Sequence, residues 1–256
     1  MKVAAVAHES WLLLKRDRIF FPTAIAGVLI ALFAGMASDW GIEEFQKILF
    51  DVGYTGFLLV GSAVALFWGS RTVSDSTSEG SLEIPFSTPI SRPSWLLGRF
   101  LGLALVLLFM GCLLVFALQV AMLIAGFGVM HARFLVMFLL VFQSWLVTAA
   151  LATFFSCFSG QTVALFCSIC LWYVGLVSDV VAKSLPQKTE PFVRSVVENL
   201  ATYWNLQRFD LGYLAQYQTE LPTATELIFR AGYGFACIGC FLCMACLALS
   251  RRDIIR

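Results

Sequence analysis

Apolar residues along this chain fall into six stretches of roughly bilayer-crossing length, at about 19–38, 53–70, 95–125, 134–156, 161–181 and 226–250. Each predicts a membrane-spanning helix, so the expected fold class is an all-α membrane protein with six transmembrane helices. The third stretch is longer than a perpendicular crossing needs, which predicts a tilted helix or one that continues past the membrane as a stalk. Only Cys157, Phe158, Ser159 and Gly160 separate the fourth from the fifth, and this predicts a tight antiparallel hairpin. Ahead of the first stretch, Val3, Val6, Ser10, Leu13 and Leu14 fall near one helical face. Trp11 is close by, and Lys15, Arg16 and Arg18 follow. That pattern predicts an interfacial amphipathic elbow helix over 1–18. Between the last two stretches, Phe192, Val196, Leu200, Tyr203 and Trp204 recur at helical spacing within 191–217. They predict a helix lying against the outer membrane face, with Pro186, Pro191 and Pro222 at its edges.

Composition turns this pattern into a class. Hydrophobic residues make up 60% of the 256 residues and charged residues 13%, and the mean hydropathy is +0.86. A soluble domain carries about 45–50% apolar residues. The chain therefore reads as one polytopic membrane domain over 1–256, and a net charge of +1 gives no field to recruit nucleic acid. No small-residue cleavage site bounds the first stretch, so it is expected to remain as an anchor. Placing the N-terminus, the polar segment 71–94, the turn 157–160 and the C-terminus on one side collects ten of the seventeen Lys and Arg with six of the sixteen acids. The positive-inside rule then puts both termini in the cytoplasm and makes 182–225 an extracytoplasmic loop.

Several residue groups suggest chemistry that their setting argues against. Cys237, Cys240, Cys243 and Cys246 stand at metal-ligand intervals. On a helix, steps of three advance about 300°, so four sulfurs spiral over about 13 Å and do not face one ion. They read as small packing residues, as do Cys112, Cys157, Cys167 and Cys170. His8 and His131 lie outside the spans, so no imidazole pair exists for transmembrane haem and no Ser/His/Asp hydrolase is supported. No Gly-x-x-x-x-Gly-Lys-Ser/Thr occurs, so the chain is not expected to be an enzyme or to bind a cofactor itself. Ser159-Gly160-Gln161 reads as a tight reversal, not a nucleotide contact. Gly98-x-x-x-Gly102 permits close helix approach, within the chain or in a dimer. Gln119 and Gln143, at membrane depth, and Asp179, near the end of the fifth stretch, read as interhelical hydrogen-bonding groups before substrate contacts.

The segment 71–92, RTVSDSTSEGSLEIPFSTPISR, is the one region dense in charge, Pro, Ser and Thr together. It contains Glu79-Gly80-Ser81-Leu82-Glu83, then Pro89-Ile90-Ser91-Arg92, and is followed by Pro93 and by Leu97-Gly98-Arg99. In these residues the chain resembles the permeases of ABC-2 type transporters, nearest the branch linked to nitrous oxide reductase maturation and gliding motility. The resemblance implies a cytoplasmic coupling helix within 71–94, with Glu79, Gly80, Glu83, Pro89, Ser91 and Arg92 meeting an ABC ATP-binding subunit. It further implies that ATP and Mg are bound by that partner and that the permease works as a homodimer or heterodimer. It also implies residence in a bacterial cytoplasmic membrane, export as the direction, and lipid as the surrounding partner. The residues agree with a docking role on their own terms. Asp75, Glu79, Glu83 and Arg92 beside Leu82, Ile84 and Phe86 make the mixed surface a protein partner needs, and Pro89 and Pro93 fix the chain's exit. The alternative from another class is a membrane scaffold or anchor that recruits a cytoplasmic partner without transport.

Overall fold

The computed structural model describes residues 2–15, 25, 29, 45–78, 91–124, 132–186, 190–212 and 222–251. The expected span at 19–38 lies, apart from Ile25 and Leu29, outside the described residues. Among those described, the elements are helical throughout: α1 Lys2–Lys15, α2 Phe45–Ser78, α3 Arg92–Ile124, α4 Ala132–Ser156, α5 Gln161–Ser184, α6 Pro191–Tyr203, a 3-10 turn Leu206–Phe209, and α7 Ala224–Arg251. Five of them, α2, α3, α4, α5 and α7, are long and apolar enough to cross a membrane.

The centre of the bundle is α4, which packs on α2, α3, α5 and α7. Of its apolar window 72% is buried, against 22% for α5 and 28% for α7, so the last two turn most of their surface outward. Lipid tails are as apolar as the helices, so what holds such a bundle is close packing more than exclusion of water. The α2–α4 contact shows how the sequence provides it. A Cβ at Gly61 would overlap the indole of Trp145, so glycine leaves the space the largest buried side chain of α4 fills. Phe57 lies 4.3 Å from that indole and 4.7 Å from Phe138, ring centre to ring centre. Further along, the fully buried Ala149 and Ala152 pass against Gly69.

Two polar regions depart from the pattern read in the sequence, one by a longer helix and one by a shorter one. The second helix does not stop at 70 but runs on to Ser78. Residues 71–78 contain neither Gly nor Pro, and the hydroxyls of Thr72 and Ser74 bond back to the carbonyls of Trp68 (3.0 Å) and Ser70 (2.7 Å). That local bonding accommodates polar residues in a helix interior. At the other end of the bundle, the helix expected over 191–217 begins with Pro191 as foreseen but ends at Tyr203. The chain then turns inward. Trp204, Asn205, Leu206, Phe209 and Leu211 are all buried, and the Trp204 indole donates to the Leu171 carbonyl at 2.7 Å. Burial of an indole with its N–H satisfied outweighs continuation of an exposed helix.

Candidate functional site

The polar segment enters the bundle at the first residues of α3. Ser91 precedes the helix: its carbonyl accepts from the Trp95 amide at 3.0 Å, and its hydroxyl shares a 2.7 Å hydrogen bond with that of Ser94. Pro93 sits in the first turn, where its missing N–H costs nothing. Arg92, half-buried, reaches across to the last turn of α7 and donates from Nη1 to the carbonyls of Leu249 (3.2 Å) and Ser250 (3.1 Å). Terminal carbonyls of a helix lack intrahelical donors and carry the negative end of its dipole, so a guanidinium suits the position.

Beneath this clamp lies a small core, separate from the main one. It joins Val6 of α1, Val73 of α2, Trp95 and Leu96 of α3, Cys157 of the α4–α5 turn, and Ala245 and Leu249 of α7. The N-terminal helix, the end of α2, the tight turn and the end of α7 thus meet at one end, the grouping the basic residues anticipated. Arg99 stacks over Trp95 at 5.3 Å and Arg71 over Phe67 at 4.9 Å.

The Gly98-x-x-x-Gly102 pair is occupied within the chain. A Cβ at Gly98 would come to 2.7 Å from the Val6 Cβ, and one at Gly102 to 2.5 Å from the Ser10 Cβ and 2.8 Å from the Ala7 carbonyl. The two glycines are the groove into which α1 packs, and the reading of them as a dimer contact gives way to this intramolecular one. The docked face of α1 is Val6, Ala7 and Ser10, with Trp11 edge-on to Phe109 at 5.7 Å. Leu13, expected on that face, is 53% exposed. An apolar stripe includes Leu13, whereas a glycine groove selects small residues.

Of the six residues expected to meet an ATP-binding subunit, Ser91 and Arg92 are placed together at the start of α3. Glu79, Gly80, Glu83 and Pro89 lie outside the described residues.

The opposite end of the bundle is closed by the inward-turned segment. Tyr54 of α2 donates its hydroxyl proton to Asp210 Oδ1 (2.9 Å) and accepts from the buried Leu211 amide (3.1 Å). Tyr233 of α7 donates to the Tyr203 carbonyl (2.9 Å) and accepts from the Asn205 amide (3.1 Å). Asp179 pairs with Lys183 at 2.5 Å. At membrane depth, Gln143 of α4 donates to the Ala231 carbonyl of α7 at 2.6 Å, the interhelical bond foreseen for it, and Gly234 leaves room for its amide. Gln119 lines an apolar groove of about 490 Å³ between α2, α3 and α4 with Phe57, Phe138 and Phe142. Along α7, Cys240 and Cys243 are exposed while Cys237 and Cys246 are half-buried, so the four sulfurs share no face. Sequence reasoning missed the roles of Arg92 as a clamp on α7 and of Tyr54 and Tyr233 as fasteners. Their partners lie 157, 156 and about 30 positions away, and periodicity carries no signal for such pairs.

The sequence model of a family described as ABC-2 family transporter protein matches residues 14–253. No curated protein matches the chain.

Proposed function

The chain belongs to the ABC-2 family of transporter proteins, and from that premise we propose that it is the permease subunit of an ATP-driven exporter, coupled to a separate ATP-binding subunit. Within the family, the Glu79-Gly80-Ser81-Leu82 and Pro89-Ile90-Ser91-Arg92 residues favour the nitrous-oxide-reductase-maturation and gliding-motility branch. ATP and Mg belong to the partner, since the chain carries no phosphate-cradling loop of its own. The distribution of basic residues supports placing both termini in the cytoplasm of a bacterial cell, with the chain in its inner membrane.

One observation carries the reading. The polar segment 71–94 is continuous at one end with α2, whose helix runs to Ser78, and at the other with α3, whose first residue holds the end of α7. A 33-residue α3 is about 50 Å long, well beyond the bilayer core of about 30 Å, so it acts as a lever. When ATP draws the partner subunits together, a push on Glu79, Gly80, Glu83, Pro89 and Ser91 passes through Arg92 into α3, α7 and the docked α1 as one body. Alternating access follows if two such permeases, identical or related, face each other across the substrate path.

Affinity purification from native membranes in mild detergent, with ATPase assay of the eluate, tests this. An ATP-binding subunit should accompany the wild-type chain and be lost from the Glu79→Arg/Glu83→Arg variant. A wild-type chain that brings down other cytoplasmic proteins and no ATPase supports the scaffold alternative.

A further inference from the structure

Two arginines share a wall at the end of the bundle away from Arg92. Arg208 of the 3-10 turn and Arg230 of α7 line a cleft of about 420 Å³ with Lys183, Asp179, Gln207 and Asp210. Both residues are half-buried. Arg230 Nη1 donates to the Arg208 carbonyl at 2.6 Å, and Arg208 Nη2 donates to the Thr202 carbonyl at 2.8 Å while stacking over Tyr233 at 4.8 Å. Each guanidinium has five N–H groups, so both retain donors for a ligand. The carboxylates of the cleft are otherwise engaged, Asp179 by Lys183 and Asp210 by the Tyr54 hydroxyl and the Gly212 amide (2.8 Å). Among the described residues no ion pair joins either arginine to a carboxylate. Glu226 at the edge of the adjoining cavity brings the site to three cations and three carboxylates, so what calls for an anion is not net charge but the unused N–H donors of two arginines on one wall.

The same two arginines also border a more open, largely apolar cavity of about 790 Å³, walled by Ile228, Phe229 and Tyr233 of α7, with Glu226 at its edge. Ile228 is 71% and Phe229 74% exposed, at the beginning of a membrane-crossing helix. A charged cleft that opens onto the exposed apolar beginning of a membrane-crossing helix suits an anionic amphiphile. We infer that this cleft is a binding site for an anionic phospholipid. Arg208 and Arg230 hold its phosphate diester through their remaining N–H donors, Lys183 stands at the rim, and an acyl chain lies along Ile228 and Phe229. A free phosphate ion shares the headgroup chemistry but leaves the apolar wall unused.

The test uses the full chain in nanodiscs of phosphatidylcholine with phosphatidylglycerol as the probe, read by native mass spectrometry of co-released lipid and by thermal unfolding. Phosphatidylglycerol should be enriched on the wild-type chain and raise its melting temperature as its mole fraction rises. The Arg208→Gln/Arg230→Gln variant should lose at least tenfold of that enrichment, and Lys183→Gln about twofold. Because Arg208 also braces Thr202, Arg208→Lys serves as the charge-retaining control and should keep the enrichment. Equal retention in the double variant, no lipid-dependent shift in the wild type, or displacement of the lipid by equimolar inorganic phosphate would each overturn the assignment.

Discussion

Arg92 and Leu249, 157 residues apart in the chain, are joined by a 3.2 Å hydrogen bond from the first residue of α3 to the last turn of α7. Together with the bond to Ser250, it makes the exit of the polar segment and the end of the final span one unit. Replacement of Arg92 by Ala removes both bonds and leaves two α7 carbonyls to water. Because the group is partly exposed, the loss of stability is modest, about 1 kcal/mol. The larger effect falls on coupling: in the purified transporter, ATP hydrolysis should persist while its dependence on the permease drops severalfold. A variant in which the two stay coupled as in wild type counts against the clamp.

Docking of α1 depends on the absence of side chains at two positions. Gly102→Leu places atoms where Ser10 and the Ala7 carbonyl already stand, and overpacking of this kind costs about 1–3 kcal/mol. The expected result is release of α1, seen as a sharp rise in maleimide labelling of an Ala7→Cys reporter that is buried in the native chain. Gly239→Ala is the comparison: nothing lies within 4 Å of its Cβ, so it should leave labelling unchanged and stability equal or slightly raised.

The pattern of apolar residues made most of this architecture legible. Four spans, the tight α4–α5 turn, the helix starting at Pro191 and the N-terminal helix were all readable from period and length, because lipid imposes composition along each segment separately. The fifth described span, α3, matched even its unusual length. What periodicity does not hold is which face meets which neighbour. Val6 and Ser10 were on the stripe and Leu13 left it, because the partner was a pair of glycines on α3 and not an apolar surface. The inward turn at Trp204 was hidden for the same reason: an indole N–H finding the Leu171 carbonyl is a tertiary event. Of the candidate docking residues, the sequence placed Ser91 and Arg92 in the polar segment, but only the fold connects Arg92 to α7.

Tyr54→Phe deletes one oxygen and two hydrogen bonds. It leaves the buried Leu211 amide without its acceptor, a loss of about 1–3 kcal/mol. Hydrogen exchange should quicken locally around 205–212, with the Arg92 end unaffected. Uniform acceleration across the bundle would contradict a local fastener.

Gln143→Leu removes the bond to the Ala231 carbonyl between α4 and α7. Interhelical hydrogen bonds in membranes contribute about 1 kcal/mol. Unfolding in mixed micelles should register a loss of that order with transport retained. Abolished transport in a stably folded variant would assign Gln143 to the substrate path.

The most direct measurement places a photoreactive amino acid at Glu83 in the full chain and irradiates native membranes. A single dominant adduct with an ATP-binding subunit, competed away by excess wild-type permease, is the expected result. Adducts only with lipid or with proteins that do not hydrolyse ATP, in membranes where the chain is folded and abundant, would contradict the docking of an ATP-binding subunit on this segment.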